Sequence, residues 1–481
     1  MKINIVLRYC GLVLLLNAAF MLLSAFISMV SGMDSGFYPL LLSGVLTGVL
    51  GGFPLIFVEK GQQISSKEGY VIVVGSWLLA CVVSMFPFLI WGGEFSLVNA
   101  WFESVSGCTT TGATILNDIE ALPRGLLFWR SSTHWIGGIG LVMFALVILP
   151  SIGNSRMTLK NMELSSMAQD NYRYRTQKII QILLVVYVGF TIIETLLLKV
   201  AGMNWFDAVN HAFSNIATGG FSTRNMSIGY YDNPWIETIV IIFAVLSGVH
   251  FGLIFATVTG KANNMFRSEV VRYYLATIAV CSIIIAVSLI RSDIYRTFGE
   301  SLRHSLFQVV CLITTTGFAT ADTTTWTPVA IILLVFVSLQ CSCAGSTSGG
   351  LKCDRVYLAA KAFGAKLRQQ QHPNAIIRIK LNNFIQDPGV VHAVMLYIVA
   401  YFSLILIDTL FNAACGLDLT TSFTAAIACA GNVGPGFGEV GSASTFAAMP
   451  AAAKVGSTVM MLLGRLEIFG LFQLFLIKWW R

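Results

Sequence analysis

The chain has 481 residues, of which 56% are hydrophobic and only 11% charged, with a formal net charge of +7 and a mean hydropathy of +0.76. A soluble domain carries about 25% charged residues, so the composition excludes a soluble globular protein and leaves an integral membrane protein. At about 20 residues per span plus loops, roughly ten spans fit, and the positive charges fall in short loops that suggest no nucleic-acid partner.

Apolar runs occur at about 9–31, 37–58, 69–91, 125–150, 179–201, 235–259, 271–290, 328–360 (interrupted), 390–412 and 455–479. The first follows Lys2 and Arg8, and a second run comes directly after it. It reads as a retained helix rather than a cleaved signal. Shorter helix-compatible runs lie between the third and fourth, fifth and sixth, seventh and eighth, and ninth and tenth. The pattern is two leading helices, then four copies of helix, half-helix, helix. It divides the chain at 1–60 (leading pair), 61–157, 158–262, 263–370 and 371–481.

One set of segments holds 21 of the 30 Lys and Arg residues: the N-terminus, 59–68, 151–178, 261–272, 352–380 and Lys478/Arg481. By the positive-inside rule that set is cytoplasmic, which puts both termini inside. The opposite face carries most of the acids, among them Glu94, Glu103, Asp118, Glu120, Asp207, Asp232, Glu300, Asp322, Asp418 and Glu439. An acidic rim on a narrow entrance concentrates cations.

Each half-helix ends in a polar, glycine-bearing stretch: Thr109-Thr110-Thr111-Gly112, Ala217-Thr218-Gly219-Gly220, Thr314-Thr315-Thr316-Gly317 and Gly431-Asn432-Val433-Gly434. The final glycines follow one another at intervals of 108, 97 and 117 residues, and the windows upstream, from Ala100, Ala208, Ser305 and Ser422, fall into step. Irregular backbone at membrane depth must be shielded by protein or line a water-filled path. Four equivalent stretches suggest a ring of carbonyls around one axis, which is how a cation filter is built. Glycine supplies the positive φ that such a backbone needs. Thr110, Thr111, Gly112, Thr218, Gly219, Gly220, Thr315, Thr316, Gly317, Asn432, Val433 and Gly434 are therefore the expected ion-coordinating positions. The expected fold is all-α, with four pseudo-symmetric helix–pore-helix–helix repeats around one central pore.

The eighth run is apolar for only 13 residues, Pro328–Gln340, or ~20 Å of helix against a core of ~30 Å. Cys341-Ser342-Cys343-Ala344-Gly345-Ser346-Thr347-Ser348-Gly349-Gly350 follows. It reads either as a mobile intramembrane loop obstructing the path below the filter or as a helix ending at the membrane surface. Arg465, in Gly464-Arg465-Leu466-Glu467, is costly in apolar sequence unless it faces water or a partner. It is either a fixed positive charge in the pore or a structural arginine, and Glu467 reads as structural. Ten cysteines, mostly in apolar runs, read as packing residues. Cys341 and Cys343 lack histidine or carboxylate neighbours at ligand spacing. His134, His211, His250 and His304 read as packed or interfacial.

At these residues the chain resembles the bacterial TrkH-type potassium transporter subunits of the Trk/Ktr/HKT superfamily. The resemblance covers essentially the whole chain and rests on TTTGAT at 109–114, GGFST at 219–223, TTTGF at 314–318, AGST-GG at 344–350, NVGPGFGEV at 432–440 and GRLEIF at 464–469. It implies a filter at the four glycines, a gating loop at Gly345, Ser346, Thr347, Ser348, Gly349 and Gly350, and a pore arginine at Arg465. It also implies homodimers in the bacterial inner membrane and a cytosolic TrkA-type nucleotide-binding ring as partner. No Rossmann fingerprint occurs here, so a nucleotide would bind the partner, and K⁺ is cargo rather than a tightly bound cofactor. Glycine at 112, where sodium-admitting members carry serine, implies potassium preference. Ser348 departs from a glycine frequent in relatives.

Gated potassium uptake is thus the leading expectation. K⁺/H⁺ or K⁺/Na⁺ symport is the alternative, with Asp408 and Glu194 near outer helix ends and no acid clearly in the pore. A non-conducting membrane sensor is a remote third. With no HExxH, no GxSxG and no paired intramembrane aspartates, the chain is not expected to be an enzyme.

Overall fold

The computed structural model describes residues 3–58, 66–148, 176–260, 264–375, 377–382 and 384–468. The expected basic loops at 59–68 and 151–178 and the end of the last apolar run lie largely outside them. The described residues are mostly helical, with one small ribbon in which Lys380–Leu381 pairs antiparallel to Phe384–Ile385. Six described helices are long and apolar enough to cross a membrane, and a bent pair forms a seventh candidate. The inner helices Pro328–Gln340 and Ala451–Arg465 are too short to count over their described residues, and Arg124–Ile148, though 25 residues long, is not among those counted.

The leading helices, Ile3–Val30 and Phe37–Phe57, form an antiparallel hairpin. Lipid offers no hydrophobic drive to pair helices, so close approach needs small residues. Gly44, Gly48 and Gly51 meet Leu22, Ala18 and Gly11 in turn. A Cβ added at Gly51 would lie 2.8 Å from the Gly11 carbonyl oxygen.

Four units follow, each with an outer helix, a short helix and an inner helix. The outer helices are Ser66–Ser84 continued by Phe86–Trp91, Thr176–Val200, Glu269–Arg291 and Pro388–Ala414. The short helices are Leu97–Cys108, Trp205–Ile216, Phe298–Ile313 and Leu419–Gly431. Each starts at a residue whose side-chain oxygen accepts an otherwise orphaned backbone N–H: Ser96 from Asn99, Asn204 from Asp207, Thr297 from Glu300, and Asp418 from Thr420 and Thr421.

The short helices also end alike. The backbone N–H of Thr111, Gly219, Thr316 and Val433 reaches back five residues to the carbonyls of Ser106, Ser214, Cys311 and Ala428, at 2.8–2.9 Å. This closure normally takes glycine in the left-handed region at the residue before. Here that residue is Thr110, Thr218, Thr315 or Asn432, at φ +53°, +54°, +60° and +52°. A β-branched residue at positive φ is a true outlier, costing of order 1–3 kcal/mol.

Of the inner helices, the first and third follow expectation and the second and fourth depart from it. Arg124–Ile148 is continuous. The run expected as one span over 235–259 is instead Pro234–Ser247 and Phe251–Val258, bent by 105°. His250 Nδ1 accepts the Gly252 N–H at 3.0 Å and starts the second piece. The third inner helix, Pro328–Gln340, stops at Cys341 (φ +56°), and helix resumes only at Cys353–Gln371. The fourth, Ala451–Arg465, ends at Arg465 rather than continuing through it.

Replacing Gly51 with Leu is expected to lower the thermal midpoint of the detergent-solubilised protein, at a cost of about 1–3 kcal/mol from overpacking. Gly52→Leu, where a Cβ meets nothing within 4 Å, should leave it unchanged. Equal shifts in the two variants would remove the close glycine crossing as a packing determinant.

Candidate functional site: four backbone segments and the loop beneath them

The four glycine stretches meet in a closed ring. A Cβ added at Gly112 would lie 1.9 Å from the Gly219 carbonyl oxygen, one at Gly220 2.0 Å from that of Thr316, one at Gly317 2.4 Å from that of Val433, and one at Gly434 2.7 Å from that of Thr111. Each glycine thus abuts the carbonyl one residue before the glycine of the next segment, in the order first, second, third, fourth and back to first. The four glycines stand at φ +82°, +87°, +72° and +100°. Positive φ therefore recurs two residues apart in every segment, at Thr110/Gly112, Thr218/Gly220, Thr315/Gly317 and Asn432/Gly434. All twelve expected coordinating residues come together here. Their threonines, Asn432 and Val433 are buried, whereas Gly112, Gly220 and Gly317 are partly open.

Side chains brace the ring from behind. Thr109 and Thr111 hydroxyls lie 2.8 Å apart, and Thr314 and Thr316 repeat the pair at 2.8 Å. Asn432 Nδ2 donates to Thr111 Oγ1 and to the Met461 carbonyl, both at 2.9 Å, joining the fourth segment to the first. The Thr218 hydroxyl donates to the Ala217 carbonyl. Behind the second segment, the His134 ring stacks on Phe221 at 4.1 Å, and a Cβ at Gly219 would strike its Nδ1 at 2.3 Å.

Two acids expected at the entrance rim are buried instead. Glu103 pairs with Arg130 at 2.8 Å, both almost fully buried, and also accepts from the Thr114 hydroxyl and the Ile115 N–H. Arg130 reaches on to the Ser222 carbonyl, so the pair ties the backbone leaving the first segment to that leaving the second. Asp207 accepts from Tyr231, Thr223 and Arg224. Buried charge persists only when paired and hydrogen-bonded, which is why these two carboxylates turn inward. Glu94, Asp118, Glu120, Asp232, Glu300, Asp322, Asp418 and Glu439 remain exposed. The Asn225 amide, donating to Asp118, holds that carboxyl below its ordinary value.

The loop after Gln340 lies directly against the ring. Gly345 (φ +79°) packs on His250, and its carbonyl accepts the Phe251 N–H. Ser346 donates to the Cys343 carbonyl at 2.6 Å and lies 2.9 Å from the Ser348 hydroxyl. Thr347 Oγ1 donates to the Ile216 carbonyl at 3.1 Å, at the end of the second short helix. The Gly349 N–H donates to Thr315 Oγ1 at 3.3 Å. Gly350 faces Gly431 and Cys341. Arg465, 1% exposed, donates from Nη1 to the Thr347 carbonyl at 2.6 Å and from Nη2 to the Gly137 carbonyl at 3.0 Å. Its named partners among the described residues are carbonyls, and Nε has none. Glu467 (φ +51°) pairs with Lys352 and Arg355 at 2.9 and 2.5 Å, fastening the far end of the loop.

Sequence reasoning missed the bend at Gly248–His250, the Glu103–Arg130 pair, the bracing histidine and the Glu467 clasp. Ser247-Gly248-Val249-His250, a polar interruption in an apolar run, was the one legible signal among them.

Fold and site together define a multi-pass helical membrane protein with four structurally equivalent non-helical segments closed around one axis. The family described as "TrkH: Cation transport protein" matches residues 41–479, and the chain belongs to it. It is 37% identical over 426 residues to the Trk system potassium uptake protein TrkH of Salmonella typhimurium, covering 88% of each chain. To that of Halomonas elongata it is 35% identical over the full length of both. The crystal structure of the potassium transporter TrkH from Vibrio parahaemolyticus superposes with a TM-score of 0.89 at 30% identity, covering 100% of each chain. These relatives are membrane transport proteins rather than enzymes.

Glu103→Ala strands Arg130 without its carboxylate and is expected to cost about 3–5 kcal/mol, read as a lowered unfolding midpoint. Asp232→Ala, which removes an exposed partner of Arg303, should cost less than about 1 kcal/mol. A mild Glu103→Ala would show that the pair does not hold the ring's flank.

Proposed function

We propose that the chain conducts K⁺ across the bacterial inner membrane through a filter formed by the ring, with both termini cytoplasmic. The carrying observation is the cyclic approach of each glycine to its neighbour's carbonyl. A cation losing its water needs inward dipoles without a trapping charge, and paired positive-φ residues turn consecutive carbonyls to one side. The short helices end at the ring, so their C-terminal dipoles favour a cation there. Thr110, Thr111, Gly112, Thr218, Gly219, Gly220, Thr315, Thr316, Gly317, Asn432, Val433 and Gly434 are the proposed lining. The proposed units keep the boundaries 1–60, 61–157, 158–262, 263–370 and 371–481.

Residues 345–350 are the proposed gate, with Arg465 as its latch. The bond from Arg465 to Thr347 supports both roles. A homodimer regulated by a cytosolic TrkA-type nucleotide-binding ring completes the reading. Its support is the helix Cys353–Gln371, which runs from the loop's end and carries Lys361, Lys366 and Arg368. For symport, one observation stands in favour. Glu194 is fully buried, accepts from Asn215 of the second short helix, and has one oxygen without a hydrogen-bond partner among the described residues.

Liposomes containing the purified protein should take up radiolabelled Rb⁺ down its gradient, with K⁺ but not Na⁺ competing. Uptake only under an imposed proton or sodium gradient would replace the channel reading with symport. Gly112→Ser, which crowds the Gly219 carbonyl, should lower discrimination against Na⁺ by about tenfold, equivalent to ~1.4 kcal/mol. An unchanged ratio removes Gly112 from the filter. Arg465→Ala should raise uptake measured without a partner, and no rise would return Arg465 to a structural role.

A further inference from the structure

The two ends of the loop are joined by a cluster of ligand-type side chains that transport does not use. Cys343 stands immediately before Ala344, and Cys353 stands just past Lys352. Their sulfurs lie 3.6 Å apart. A carboxylate oxygen of Asp354 completes a group whose ligand atoms all fall within 4.8 Å of one another. Among the described residues this is the one cluster of three such ligands. Cys341, which sequence reading set beside Cys343, is not part of it.

The geometry suits a tetrahedral metal. Two thiolates at about 2.3 Å from Zn²⁺ with tetrahedral angles place their sulfurs roughly 3.8 Å apart, close to the spacing found. Backbone hydrogen bonds hold both cysteines in place. The Cys353 N–H donates to the Ser342 carbonyl at 2.9 Å, and the Cys343 N–H donates to the Gly248 carbonyl at 3.0 Å. Asp354 accepts from the Ala344 N–H. Both thiols are buried, at 2% and 0% exposure. The Tyr274 hydroxyl, buried and without a hydrogen-bond partner among the described residues, lies against Gly248. The set of two soft sulfurs and one oxygen favours borderline and soft divalent ions over Mg²⁺ or Ca²⁺, which take oxygen.

We propose that Cys343, Cys353 and Asp354 form a site for a thiophilic divalent cation such as Zn²⁺ or Cd²⁺, and that its occupation ties the loop ends together and holds the loop against the ring. Each thiol gives up its proton on ligation. The site stands on geometry alone. Its effect on flux rests on the reading of residues 345–350 as the gate.

The test uses the full-length protein in detergent, with a phosphine reductant to keep thiols reduced and Cd²⁺ as the probe. One Cd²⁺ per chain should bind with a thiolate-to-metal charge-transfer band. Cys343→Ser and Cys353→Ser should each abolish that band, and Asp354→Asn should weaken binding more than about tenfold. Cys429→Ser, a buried thiol elsewhere, should leave it intact. No band, or one that persists in both cysteine variants, overturns the site. In liposomes, Cd²⁺ should suppress Rb⁺ uptake by the wild type and spare Cys353→Ser. Binding that leaves uptake unchanged overturns the lock. Absence of uptake in every preparation would bear on the transport reading alone, because the titration needs no transport.

Discussion

Four peptide segments leave no room for a side chain between them, and the architecture follows from that contact. A membrane interior offers no water to satisfy stray backbone groups, so non-helical chain at depth is tolerated only against other protein or a wet path. Here each segment places a glycine Cα against the carbonyl of the next, and the fourth returns to the first. Any Cβ on this circle meets a carbonyl oxygen at less than 3 Å. Glycine is required at all four positions by its neighbour as well as by its own φ.

Such a backbone is strained, and the surroundings hold it in place. Three threonines and one asparagine occupy the left-handed region at the ends of the short helices. Four residues at about 1–3 kcal/mol each represent a sizeable share of a typical net stability of 5–15 kcal/mol. The opposing restraints are local and specific. They comprise helix-end bonds of 2.8–2.9 Å, the threonine hydroxyl pairs, the Asn432 bridge from the fourth segment to the first and the buried Glu103–Arg130 pair. Each links one unit to itself or to its neighbour, so ring geometry and unit packing reinforce one another.

The sequence made the ring's membership legible because repetition carries information that no single motif does. Four glycines with matched upstream windows point to one axis. The strained threonines were not legible, since threonine has no preference for positive φ and its placement comes from helix-end closure. Glu103 and Asp207 looked like rim acids because charge alone does not reveal burial. Their partners, Arg130 and Arg224, are distant or unremarkable in sequence. The second inner helix read as unbroken because apolar content continues across Gly248–His250. Cys353 and Asp354 were invisible as partners of Cys343 because the loop between them has to fold back first.

The loop is held, directly or through Arg465, to all four units. Thr347 bonds to the second unit, Gly349 to the third, and Arg465 of the fourth bonds to Thr347 while also holding Gly137 of the first. Movement of any one unit away from the loop therefore breaks at least one of these bonds. The two bonds between neutral groups contribute about 0.5–1.5 kcal/mol net each and the two from the Arg465 guanidinium about 1.5–3 kcal/mol each, and among the described residues no carboxylate pairs with Arg465. The four bonds together sum to roughly 4–9 kcal/mol, above an ordinary allosteric coupling of about 1–3 kcal/mol. The clasp of Glu467 on Lys352 and Arg355 connects the loop's end to the basic helix Cys353–Gln371. On the proposed reading of residues 345–350 as a gate, a partner bound to that helix would act on the loop through this clasp rather than through the ring.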